Sequence, residues 1–141
     1  MKTEVRSAIS RVFETMSFCE LSDCDSGPIE SPSLGAVIAF RGVLAGEFRL
    51  AISQCTAARL GADFVAAEGQ EGTVDQTRSV VAEFANVVCG AVLSTLAPDA
   101  DIHFSIPQLR DEIDRSQLTY HFSSTGEAPD IAVGLSLSPV D

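Results

Sequence analysis

Apolar residues recur along this chain with two different periods, and the switches between them lay out its elements. Val5, Ile9, Val12, Phe13 and Met16 return at steps of three and four, so residues 3–17 read as a helix with one apolar face. Residues 18–34 are less regular: Asp23-Cys24-Asp25-Ser26-Gly27-Pro28 is turn chemistry, with a short strand expected on either side. Gly35 to Ile52 reads as a hairpin. Ala36 to Phe40 is a short apolar run, Gly42 and Gly46 bracket the connection, and Phe48, Leu50 and Ile52 alternate with Glu47, Arg49 and Ala51. Ser53 suits the N-cap of a short helix through Leu60, with Gly61 as its stop.

A loop over 62–72, with Gly69 and Gly72, leads to the longest periodic stretch, a helix from about Asp75 to Leu96. Thr73 is its expected N-cap, Glu71 and Asp75 put negative charge where the helix dipole favours it, and Pro98 ends it. Residues 101–107 read as a strand closed by Pro107, and the charged residues 108–116 as a solvated loop. Leu118, Tyr120 and Phe122 alternate, as do Ile131, Val133, Leu135 and Leu137, giving two strands joined by a turn over Gly126–Pro129 and a free sheet edge at the C-terminus. With no repeat, low-complexity tract or linker, residues 1–141 read as one domain of α/β (α+β) class. It would be a mostly antiparallel sheet with the long helix packed on one face.

That helix carries an unusual polar face. At about 100° per residue, Ser79, Glu83, Asn86 and Gly90 fall within roughly 60° of one another, and Val81, Phe84, Val88 and Val92 lie opposite. A polar face alone is ordinary, but three details set this one apart. Glu83 is the stripe's one ionised group. Gly90 costs about 1 kcal/mol relative to Ala inside a helix, so it needs a reason, and close approach of another chain is one. Val80, Val87 and Ala91 flank the stripe with small apolar groups, as an interface core would. A carboxylate can grip a cation, and a carboxamide one turn away can hold a water molecule.

Composition narrows what such a face could meet. The 141 residues carry a formal net charge of −11, which argues against nucleic acid and against an anionic membrane surface. No apolar run approaches the roughly 20 residues of a membrane span, and the N-terminus does not lead into a signal-peptide core, so a cytoplasmic location is expected. Cys19, Cys24, Cys55 and Cys89 show no metal-ligand spacing and read as free thiols, Cys55 and Cys89 buried. His103 and His121 lie on strands that could be neighbours, but no acidic or thiol group stands at ligand spacing, and no metal site is expected. Ser123-Ser124-Thr125-Gly126 lacks the Lys and helix of a phosphate loop, and there is no Gly-x-Ser-x-Gly.

The run Glu83-Phe84-Ala85-Asn86-Val87-Val88-Cys89-Gly90 resembles the Glu-x-x-Asn signature of the CheC/CheX/FliY chemotaxis phosphatases. The family has Asp or Ser four residues before the Glu, a place Ser79 holds here, and a Pro a little over twenty residues after the Asn. Pro107, 21 positions on, falls slightly short. The first helix, ending Phe13-Glu14-Thr15-Met16, and the hairpin from Gly35 extend the likeness to nearly the whole chain, and a single copy of the motif is similar to CheX.

The resemblance implies a CheC-like fold and hydrolysis of the aspartyl phosphate on a CheY-like receiver domain. Asn86 would orient the attacking water and Glu83 would dock the receiver's Lys; on the reading of the helix face itself, Gly90 and, in a lesser role, Ser79 would contact the partner. It implies no cofactor of the chain's own, Mg²⁺ being supplied by the receiver, and a homodimer. The alternative within the same fold is a non-catalytic receiver-binding or flagellar-switch adaptor, which would not need Asn86. Outside it stands a scaffold domain whose stripe is merely solvated.

Overall fold

The computed structural model describes residues 2–17, 20–24, 29, 33–67, 74–111, 113–114, 117–124 and 129–138. Along the chain these form α1 (Lys2–Ser17), β1 (Ser22–Cys24), β2 (Ser33–Gly42), β3 (Ala45–Ser53), α2 (Gln54–Ala67), α3 (Val74–Leu96), β4 (Ile102–Phe104), β5 (Gln108–Arg110), β6 (Tyr120–Ser123) and β7 (Ile131–Ser138). The strands make one antiparallel sheet in the order β1-β6-β7-β3-β2-β4, with β5 also paired to β2. The mixed α/β (α+β) architecture expected from the pattern is therefore the one observed.

Register explains why alternation was informative. Leu34↔Ile52↔Ile131, Ala36↔Leu50↔Val133 and Ile38↔Phe48↔Leu135 run across three strands as rows of apolar side chains on one face. Against that face pack Val5, Ile9, Val12 and Phe13 of α1 and Val81, Phe84, Val88 and Val92 of α3. Each fully buried side chain of this size contributes about 1.5–3 kcal/mol of hydrophobic stabilisation. The helix Thr77–Leu96, with only Arg78 and Glu83 charged, in fact has the length and mean hydropathy (1.6) of a membrane span, contrary to the sequence reading. Much of its apolar surface is turned onto the sheet and α1.

Several expectations are corrected. The C-terminal strands are not a free edge: β7 lies between β6 and β3, and β6 is covered by β1. Gly61 does not stop a helix. It is buried inside α2, where a Cβ would lie in ordinary van der Waals contact with Thr77 of α3. Cys89 is buried as expected, but Cys55 is exposed. His103 on β4 and His121 on β6 are four strand spacings apart, roughly 19 Å, and are not neighbours. The turn residues 25–28 and 125–128, Cys19, Gly69, Glu71, Gly72 and Thr73 lie outside the described residues.

The charged stretch after Pro107 is the largest correction. Instead of a loop it opens with β5, and the edge formed by β4 and β5 carries a bulge. Phe40↔Phe104 and Val37↔Gln108 differ in register by one residue. Between them Ser105 N–H donates to Ala39 O at 2.8 Å, and Ala39 N–H donates to Ser105 Oγ at 2.9 Å. Pro107, which has no N–H to give a ladder, sits in that bulge. Beyond β5, Ile113 and Gln117 lie on the sheet face opposite the helices. A Cβ on Gly35 would run into Ile113 and one on Gly134 into the Gln117 carbonyl, so glycine at both positions lets these residues lie directly on the strands.

Ser53 caps α2 as expected, its Oγ accepting from Thr56 N–H at 3.2 Å. A buried carboxylate that the sequence did not single out sits beside it. Asp130 accepts from Thr56 Oγ1 at 2.7 Å, from Ser124 N–H at 2.9 Å and from Ser124 Oγ, tying the first turn of α2 to the β6–β7 hairpin.

Candidate functional site

The rotation of α3 about its axis is set by what it buries. Phe84 stacks on Phe13 of α1 with ring centroids 4.8 Å apart and planes 16° from parallel. Val81, Ala85, Val88, Cys89, Val92 and Leu93 are buried with it. With those side chains on the sheet and α1, helical geometry leaves Ser79, Glu83 and Asn86 exposed and Gly90 half-buried on the outer face. Glu83 and Asn86 are three residues apart, about 4.5 Å of helical rise, so both side chains can reach one partner surface. All four stripe residues are thus on one outward face. Pro107 is not on it, lying in the edge bulge.

The flanks differ from expectation. Val80 belongs to the core, whereas Val87 is 38 % exposed beside Glu83 and Ala91 is half-buried. On the other side Arg78 donates to Asp111 Oδ1 at 3.1 Å, linking the first half of α3 to the end of β5. Arg78 is legible as a neighbour of the stripe on the helix, but nothing in the sequence points to Asp111 as its partner. Such exposed pairs contribute about 0–1 kcal/mol.

Nearby groups limit the chemistry. Burial pushes the Cys89 thiol up to about 12, so it is no nucleophile. Burial, with Arg6 adding to it, lowers His121 from its ordinary value, and His121 lies across the sheet from the stripe. Among the described residues no three His, Cys, Asp or Glu gather as a metal site needs. The open concavity of about 680 Å³ lined by Ala39, Arg41, Glu47, His103, Phe104 and Ser136 belongs to the sheet edge, not to α3. What the stripe offers is one carboxylate for a cation and one carboxamide for a water, on a rigidly seated helix.

The family model described as chemotaxis phosphatase CheX matches residues 34–121, which include β2 from Leu34 on and all of β3 and α3. No curated protein sequence matches the chain. Among solved structures, CheX of Vibrio vulnificus superposes with a TM-score of 0.72 at 18% identity over 95% of both chains. The CheX-CheY-BeF3-Mg²⁺ complex from Borrelia burgdorferi matches with a TM-score of 0.67 at 16% identity, over 98% of this chain and 97% of the other. The middle domain of FliM from a Vibrio species matches with a TM-score of 0.60 at 12% identity, over 96% and 92%. At these identities the likeness is one of fold.

Proposed function

The chain belongs to the CheX family of chemotaxis phosphatases, and on that premise we propose that it hydrolyses the aspartyl phosphate of a CheY-like response regulator. The observation that carries the reading is the exposure of Glu83 and Asn86 side by side on a helix whose rotation the core holds fixed. The Borrelia relative's complex with CheY, BeF3 and Mg²⁺ supports a receiver as partner.

In this reading the receiver brings its own Mg²⁺ and Lys, which neutralise the phosphoryl oxygens. The missing element is a placed nucleophile. The Asn86 side-chain oxygen accepts a hydrogen bond from a water and holds it in line with the scissile bond. The water oxygen bonds to phosphorus, the P–O bond to the receiver's aspartate breaks, and the carboxylate is regenerated while the water's proton leaves to solvent with inorganic phosphate. Glu83 pairs with the receiver Lys and fixes the register of the two surfaces. Ser79 contacts the receiver at the N-terminal end of the stripe. A receiver substrate places this work in the cytoplasm.

The test is the lifetime of a phosphorylated receiver with and without the protein. Glu83→Ala is expected to raise the half-saturating receiver concentration about 10- to 100-fold, the worth of one charge-assisted pair. An unchanged lifetime across a panel of receivers sinks the proposal. Binding without faster decay favours the adaptor reading, whose fold the FliM domain shares.

A homodimer is also proposed, now through the edge at β4. There Phe104 is 47 % and Ile106 85 % exposed, and β4 ends the strand order. Sedimentation that finds a monomer at micromolar concentration overturns it.

A further inference from the structure

We propose that Gly90 is a clearance residue. It keeps the outer surface of α3 low one turn beyond Asn86, so that the receiver's backbone or a bulky receiver side chain can lie against the helix there. This rests on the phosphatase reading and names a further determinant of that same site.

A glycine inside a helix ordinarily answers an intramolecular need, and the described residues around α3 supply none. Gly90 is not a cap, because the helix runs on to Leu96. Its backbone is not in the left-handed region, where Asp99 is the one non-glycine residue found among those described. Among the described residues it admits no neighbouring element: a Cβ built on it meets nothing of theirs within 4 Å. Gly134, by contrast, would drive its Cβ into the Gln117 carbonyl, so the chain does use glycine for internal close approaches elsewhere. Alanine at position 90 would fit and would favour the helix. The glycine therefore costs the isolated molecule stability without serving it.

The surroundings fit an external reason. Gly90 lies about 40° around the helix from Asn86, on the same outward face. Val87, 38 % exposed, and the half-buried Ala91 make the adjoining ground low and apolar. A surface seated there approaches the helix axis more closely than any side chain at position 90 would permit. Closeness matters because the water held by Asn86 must reach phosphorus, and a fraction of an ångström of lift would separate them.

The experiment compares wild type, Gly90→Ala and Gly90→Gln by thermal unfolding and by steady-state dephosphorylation of a cognate phosphorylated receiver. Both variants are expected to unfold higher, Gly90→Ala by roughly 3–5 °C. Both are expected to raise the half-saturating receiver concentration, Gly90→Ala at least about fivefold and Gly90→Gln more. A glycine that served only the fold would move the two readouts together, downward. A lower Tm in Gly90→Ala, or wild-type kinetics in Gly90→Gln beside an active wild type, overturns the inference and leaves the phosphatase reading standing. Wild type that docks and turns over no receiver removes that reading, and this inference with it.

Discussion

Asn86→Ala is expected to lower kcat for receiver dephosphorylation by about 10²–10³-fold, the usual cost of one group that acts in the transition state. Its half-saturating receiver concentration is expected to stay within about threefold of wild type, because the docking charge is Glu83 and not Asn86. Stability is expected to be unchanged or slightly higher. Asn86 is exposed, and Ala is the better helix former by up to about 0.7 kcal/mol. The combination distinguishes a water-positioning residue from a structural one, whose loss would lower Tm and kcat together. Asn86→Asp keeps an acceptor for the water but sets a negative charge beside an anionic phosphoryl group, so it is expected to fall between wild type and Ala. Asn86→Gln lengthens the side chain by one methylene and lifts the water out of line, and is expected to behave nearly as Ala. Stopped-flow or radiolabel decay at saturating and sub-saturating receiver separates kcat from KM. Wild-type kcat in Asn86→Ala would end the proposed mechanism while leaving the receiver a possible binding partner.

The stripe was legible because a helix reports its own geometry. Ser79, Glu83, Asn86 and Gly90 lie within 12 residues of sequence, and the 3.6-residue period alone decides that they share a face. The hairpin β2–β3 and the strand β7 were legible for a like reason: Ile38, Phe48 and Leu135 face a core on one side and small or polar groups on the other, so alternation survives. Which elements become neighbours across long sequence separation is not written in local pattern. Nothing local in Ile131–Ser138 shows that β7 belongs between β3 and β6, because strand order is decided by which faces and crossings can be buried together. The placement of Ile113 and Gln117 on the back of the sheet was hidden by the composition around them. The charged residues there look solvated, and the strand positions beneath them, such as Gly35, Ala51, Ala132 and Gly134, are too small to register as core. Those small residues are the signal, since they mark where backbone comes close. Asp130 escaped for the opposite reason, as an acidic residue next to a proline in a turn reads as exposed until its donors are known.

Phe84→Ala is expected to cost about 3–5 kcal/mol of folding stability, because a fully buried ring is removed from a site that can collapse only partly. Against a typical total of about 5–15 kcal/mol that is a large fraction, and Tm is expected to fall by roughly 10–20 °C. Part of the loss belongs to the stack with Phe13, so Phe13→Ala and the double variant complete a cycle. A coupling of about 0.5–1.5 kcal/mol is expected between the two rings. The consequence for function follows from geometry, not from stability. Phe84 is the residue after Glu83 and two before Asn86, and its ring is what pins this turn of α3 to α1. Without it the helix can roll about its axis, and the carboxylate and carboxamide lose their common aim. Measured well below its Tm, Phe84→Ala is therefore expected to show raised KM and lowered kcat together. Phe84→Leu, which refills most of the volume, should recover both in large part. Urea titration and receiver dephosphorylation at the same temperature read the two effects separately. A full-strength phosphatase in Phe84→Ala would mean that the strands and remaining core residues alone hold α3 in register. A stability loss below about 1 kcal/mol would mean that Phe13 moves into the vacated space.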